Sequence, residues 1–198
     1  MVGIMKRFLA LFLVFCFIFT FAACNASGGV SDSSQNQNAE RSDSLKKLRK
    51  QLEKHEFLGV TFYLPSDFTQ SNIFADVDTG RVTYTNDLGI TVLINISEAS
   101  YIERYFGTDV QDAKAYAQVY FDDQKTDEAF QTTMSEKFDV PYIYRTAVEN
   151  SASQYGFMGF YHAGNYFATV SVYTEDKAIF NQNEEAMIHY ATIASFER

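Results

Sequence analysis

Apolar and polar residues alternate most cleanly from Ile90 to Ile96, where Ile90, Val92, Ile94 and Ile96 share one face. That period of two predicts a half-buried strand. Val60, Phe62 and Leu64 predict another, which Pro65 stops. Val82 and Tyr84 mark a third over Arg81 to Thr85, with Asn86-Asp87-Leu88-Gly89 as the turn into Ile90. The pattern then becomes helical. Val110, Ala113, Ala117 and Phe121 form one stripe, and Phe130, Met134 and Phe138 form a second after the polar break at Asp122 to Asp127. Strands return at Val140 to Val148, Tyr155 to Tyr161 and Tyr166 to Tyr173, the last two joined through Ala163-Gly164-Asn165 as a hairpin. A closing helix spans Asn183 to Ser195, with Met187, Tyr190, Ala191 and Ala194 inward. Ahead of all these, leucines 45, 48 and 52 recur at helical spacing within Leu45 to Glu56.

The order is helix, three strands, two helical segments, three strands, helix. It predicts an α+β domain over residues 45–198, an antiparallel sheet covered by helices. Strands apolar on both faces, as a doubly wound parallel sheet requires, are not what the alternation shows.

The first 23 residues follow a different rule. Lys6 and Arg7 precede an apolar run of 16 positions, Phe8 to Ala23, closed by Phe21-Ala22-Ala23-Cys24. A basic segment, an apolar segment and small residues before a cleavage point make an export signal. The run is shorter than the roughly 20 residues a spanning helix needs, and a start at Met5 would leave the signal intact. Ala22, Ala23 and Cys24 resemble the lipobox of bacterial lipoproteins, with Phe21 where leucine is commoner. That resemblance implies a diacylglycerol thioether on Cys24, with further acylation such as palmitate, and cleavage before it. It places the protein on the outer face of the cytoplasmic membrane. Cys16 leaves with the signal, so Cys24 is the one cysteine of the mature chain and no internal disulfide forms. From Asn25 to Ser44 the chain is rich in Ser, Asn, Gln and Gly, a composition that does not repay ordering; residues 24–44 are expected to be the lipidated cysteine and a flexible tether.

Charge narrows the partners. The formal net charge is −9, and −11 once Lys6 and Arg7 are gone. An acidic body excludes nucleic acid as a partner for the domain as a whole. Within it, Leu45 to Glu56 carries five Lys and Arg against two Glu. This helix is expected either to dock its leucine stripe on the sheet or to lie against anionic headgroups beside the anchor, and the two are compatible if its basic face points outward.

The opening Gly59-Val-Thr-Phe-Tyr-Leu-Pro65, the hairpin-like middle and the closing Ile193-Ala194-Ser195-Phe196 resemble the Mog1/PsbP/DcrB-like superfamily, over residues 56 to 197. The resemblance implies an α/β/α sandwich and a non-enzymatic accessory role, as in members that bind a small GTPase, assist photosystem II or sit in the periplasm. Fold likeness alone does not transmit function.

The chemistry is sparse. The histidines are His55, His162 and His189, and Glu185 with His189 lacks the second histidine of a zinc protease helix. Asp78-Thr79-Gly80 is a single triplet where aspartic protease chemistry needs a pair of carboxylates. Asp76 and Asp78 are not followed by a calcium-loop spacing, and neither G-x-S-x-G nor a phosphate-cradling G-x-x-x-x-G-K is present. No catalytic, cofactor or metal residue is therefore assigned. Gly156 and Gly159 read as strand glycines that permit twist or close packing. Aromatics remain: 19 Phe, 13 Tyr and no Trp. Tyr142, Tyr144, Tyr161, Tyr166 and Tyr173 crowd neighbouring strands, either as cross-strand pairs covering the sheet or as a face that binds an envelope protein, peptide or glycan. The expectation is a membrane-tethered binding or accessory domain, the alternatives being an envelope hydrolase with a dispersed site or a structural stress-response lipoprotein.

Overall fold

The computed structural model describes residues 33–76, 78–148 and 154–198, with side chains from Ser42 onward. The signal segment, Cys24 and the first part of the expected tether lie outside them. Two compact units divide the chain, Met1–Ala39 and Glu40–Arg198, and the second carries the sheet.

Helix α1 spans Ser33–Lys50 and corrects one expectation, the extent of the basic helix. It begins inside the stretch expected to be a tether: no Gly or Pro interrupts residues 30–58, so nothing in the backbone stops a helix there. It also ends earlier than the basic helix predicted over 45–56, because Glu53–Phe57 is strand β1. Leu58 and Gly59 both have positive φ, 46° and 85°, and form the two-residue turn that folds β1 against β2, Val60–Leu64. That turn fixes the register, and Phe57 is buried. Lys54 accordingly sits on β1 in an exposed ion pair with Glu56, and Arg49 points inward. Its Nε and Nη2 donate to the Ile193 carbonyl at 3.0 and 2.7 Å, while its guanidinium covers the Tyr63 ring at 5.0 Å. Lys46, Lys47 and Lys50 remain exposed.

The main sheet is built from β3 (Thr69–Ala75), β4 (Gly80–Thr85), β5 (Thr91–Glu98), β6 (Phe130–Lys137), β7 (Val140–Ala147), β8 (Tyr155–Ala163) and β9 (Tyr166–Thr174). Their spatial order is β3-β4-β5-β9-β8-β7-β6, every pair antiparallel. From β5 the chain crosses through α2 (Ala99–Phe106) and α3 (Ala113–Gln124) to the far edge, then walks back to pair β9 with β5 from Thr91↔Tyr173 to Glu98↔Tyr166. Helix α4 (Lys177–Thr192) and β10 (Ser195–Phe196) follow, and β10 pairs with β2 in a second sheet, β1-β2-β10.

The second helical stripe is a correction too. Phe130, Met134 and Phe138 lie four apart, and residues four apart share a face in a strand as well as in a helix. Residues Phe130–Lys137 form β6, and Phe138 and Asp139, with φ of 56° and 62°, turn it back into β7. Strand β3 carries no clear period and was not anticipated; helix α2, whose Ile102 and Phe106 lie four apart on the packed side, was not anticipated either.

Two clusters of apolar side chains sandwich the sheet. On the first face Val82, Val92, Ile94, Val170 and Val172 pack with Phe57, Phe62 and Leu64 of the small sheet and with Phe180, Met187 and Ala191 of α4. On the second, Ile143, Phe160 and Phe167 pack with Ile102 of α2 and with Tyr116 and Ala117 of α3. Two helix starts are fixed by carboxylates: Asp112 accepts from Ala115 N at 2.7 Å, and Asp176 from Ala178 N and Ile179 N at 2.7 and 3.1 Å. At α4 the other end is capped as fully, since the Tyr161 hydroxyl donates to the Ala191 carbonyl at 2.7 Å while Arg49 serves Ile193. The last carbonyls of a helix have no partner within it, so both side chains satisfy groups that burial would otherwise orphan. The predicted α+β class with a sheet between helices is what the chain forms.

Candidate functional site

The five tyrosines do not share one surface. Tyr142, Tyr144, Tyr161 and Tyr166 lie on the first face, and Tyr173 lies on the second, opposite Gly156 in the ladder. Tyr161 is buried and spends its hydroxyl on Ala191, so it is removed from any exposed site. Tyr144 stacks on Phe157 and Phe180 at ring distances of 5.1 and 5.8 Å, and Tyr142 meets Phe157 edge-on, so both are cross-strand cover for the core. Tyr166 lies under the Arg198 guanidinium at 4.1 Å, and Arg198 also reaches Asp78 at 3.3 Å. The phenols of Tyr161 and Tyr144 are pushed above their ordinary range by burial. Tyr161→Phe is expected to cost about 1–3 kcal/mol in urea unfolding, because it strands the Ala191 carbonyl rather than removing apolar area; an unchanged midpoint would show that the bond contributes nothing.

The histidines are dispersed. His55 on β1 stacks on Phe62 at 5.3 Å, with Nε2 buried and unpartnered; His162 on β8 meets the Gly164 carbonyl at 2.8 Å; His189 on α4 faces Phe138. Burial lowers the His189 pKa first, Lys137 lowers it further, and Glu185 opposes both. Among the described residues no three His, Cys, Asp or Glu converge as metal ligands.

What the fold does create is a cleft on the second face. Helix α3 covers the sheet only in part, and the register sets the floor in two rows: Arg145, Gly156 and Tyr173, then Ile143, Met158, Ser171 and Leu93. Tyr120 and Gln124 of α3 form one wall, and the enclosed volume is about 240 Å³. Gly156 is held tightly against β9, where a Cβ would lie 2.2 Å from the Val172 carbonyl oxygen and 2.8 Å from Tyr173 Cβ. Arg145 is held in place rather than extended into solvent. Its Nη2 donates to Asp127 at 2.7 Å, its guanidinium lies 3.4 Å from the Phe130 ring centre, and its Nε is buried with no partner. Asp127 is itself fixed by accepting from Ala129 N at 3.1 Å. Burial raises the Tyr120 phenol, with Arg145 acting in the opposite sense, so Tyr120 is a neutral hydroxyl at physiological pH.

The cleft therefore offers an apolar floor, a few hydroxyl and amide groups, and the side of a fixed guanidinium whose own Nε is buried without a partner. Ser171 is its one aliphatic hydroxyl, and no histidine or second carboxylate stands beside it to activate it. A second, more open depression on the same face, about 460 Å³, lies between β4, β5 and α2 and includes Phe74, Arg81, Asn95, Tyr101 and Arg104. Of the cleft residues, Tyr173 was among the tyrosines singled out from the sequence and Gly156 was read there only as a strand glycine; the others were not singled out. The one signal available was Arg145, a lone charge inside the strand run Tyr142-Ile143-Tyr144.

No protein-family model matches the chain, and no curated protein is similar to it. Among solved structures it is similar to cyanobacterial PsbP (CyanoP) from Synechocystis sp. PCC 6803, known in solution. The match has a TM-score of 0.50 and 11% identity, covering 87% of this chain and 98% of that one. At that identity the likeness shows the fold and nothing further, and the fold of this chain is PsbP-like.

Proposed function

We propose that this protein is a lipid-anchored, extracytoplasmic binding domain that is not catalytic, and that it takes its ligand in the cleft between α3 and the sheet. The observation that carries the reading is Arg145: a guanidinium clamped by Asp127 and Phe130 whose Nε–H has no acceptor, above an uncovered apolar floor. A buried donor without a partner costs free energy, and a ligand acceptor would recover it. At about 240 Å³ the cleft is smaller than the roughly 300–1,000 Å³ typical of drug-sized ligands. It suits one side chain or one sugar-sized group of a larger envelope component. The export signal, Cys24 and the serine- and asparagine-rich stretch after it support placement at the membrane surface.

Capture from envelope extracts tests this. The full-length chain is expected to enrich a protein, peptide or glycan over a tether-only control. The Ser171→Leu variant, which fills the cleft floor without touching α4, is expected to lose that enrichment by at least about tenfold while keeping its unfolding midpoint within a few degrees. Enrichment that survives Ser171→Leu would remove the cleft from the proposal.

A further inference from the structure

The two edges of the seven-stranded sheet are defended very differently. Strand β6 at one edge carries Glu136 and Lys137, and Lys114 of α3 reaches Glu136 at 3.7 Å. Strand β3 at the other reads Thr69-Gln-Ser-Asn-Ile-Phe-Ala75, without a charge or a proline. Every one of its residues is exposed, Ile73 by 55% and Phe74 by 65%. Natural edges are normally blunted by lysine, proline or a covering element, because an open row of backbone N–H and C=O groups is a template for another strand. The device present here is a bulge between Gln70 and Asn72, which leaves Asn72–Ala75 as the continuous ladder. The strand is also held rigid as a template: Thr69 and Ser71 donate their hydroxyls to the Thr85 and Thr83 carbonyls, each at 3.3 Å.

We propose that β3 accepts an extended segment of a partner protein as an eighth strand, and that this segment is uncharged through its middle and carries Lys or Arg at its ends. The charges around β3 select that occupant. Asp67 lies just before the strand, and Asp76 and Asp78 lie just after it. Arg81 stands opposite Phe74, which disfavours a cation at the centre of the incoming strand. A second copy of this chain fits poorly. Antiparallel pairing of β3 with itself about Asn72 sets Asp67 of each copy one position from Asp76 of the other, at both ends, in a chain of net charge −9. Like charges across a strand pair destabilise it. On the second face Phe74 and Tyr101 frame the open depression next to the edge, so one apolar side chain of the added strand would be received there. Main-chain bonds would supply affinity and that depression selectivity, as in other strand-addition complexes.

The probe is a fluorescein-labelled nonapeptide of alternating Thr and Val with Lys at each end, added to the full-length chain in mild detergent. Anisotropy is expected to report saturable binding, and hydrogen exchange to slow about tenfold over residues 69–75 and nowhere else. Ile73→Lys is expected to weaken binding at least about tenfold, whereas Ile73→Val leaves it within about twofold. A peptide N-methylated at alternate residues along the pairing edge keeps side chains and charge, and is expected not to bind. The proposal is overturned by affinity weaker than about 1 mM or by equal binding of peptides methylated on either edge. Protection in the free chain of those β3 amides that point away from β4 would overturn it as well, as would a concentration-dependent dimer that produces the same protection.

Discussion

Gly159→Ala is expected to lower the unfolding free energy by about 3 kcal/mol, near the upper end for overpacking a native interior. A Cβ at this position would sit 2.0 Å from the Ala191 carbonyl oxygen and 3.0 Å from its carbon. Those are backbone atoms of α4, not the end of a flexible side chain, so the helix itself must lift. Lifting it also breaks the Tyr161 bond to the same carbonyl, 2.7 Å long. For a domain of this size each kcal/mol shifts the melting temperature by about 2–4 °C, so a fall of about 6–12 °C should appear in a calorimetric scan. Gly89→Ala is the informative companion. Its φ is 79° but nothing lies within 4 Å, so it pays backbone strain alone, about 1–2 kcal/mol. Equal losses in the two variants would mean that α4 does not bear directly on β8.

The larger effect concerns Cys24. Cys24→Ala in the full-length chain is expected to reduce incorporation of labelled palmitate to background and to release the processed protein into the soluble fraction. Each buried methylene contributes about 0.8 kcal/mol, and a single acyl chain gives only reversible membrane binding. Losing the proposed two-chain anchor would therefore shift the partition by many orders of magnitude, far more than Lys46, Lys47 and Lys50 could restore at about 1 kcal/mol each. Labelling is the deciding readout, because an uncleaved apolar run of 16 residues would hold a precursor at the membrane with or without lipid. Labelled fatty acid persisting in the variant would refute the anchor.

The sheet was legible wherever one strand face is buried and the other is not. Val82 and Tyr84 of β4, Val92, Ile94 and Ile96 of β5, and the turn at Gly164 all announce themselves that way. Strand β3 was invisible for the opposite reason: it buries nothing, so no pattern of burial is written into it. Strand β6 was misread because its apolar spacing of four satisfies both periods. At its true end, Phe138 and Asp139 take positive φ without glycine, and the turn gave no warning. The cleft was hidden at a different level. Tyr120, Arg145, Gly156 and Ser171 come from four elements and meet only through a register that no local pattern encodes. The tyrosine cluster failed for the same cause, since proximity in sequence placed Tyr173 with Tyr161 although the pleat puts them on opposite faces.

Strand β2 pairs with β10, Phe196 against Val60, and Glu197 N donates to the Gly59 carbonyl at 3.1 Å. Opening and closing segments of the body are thus fastened to each other, and the central β5–β9 ladder likewise joins residues 68 to 82 positions apart. Loops of that length must close before any of these contacts is rewarded. A chain threaded N-terminus first through a narrow export channel would hold β2 against β1 alone, without β10, until its last residues emerged. If the chain is exported as its first residues suggest, the small sheet and the central β5–β9 pairing could close only after the C-terminal half had emerged.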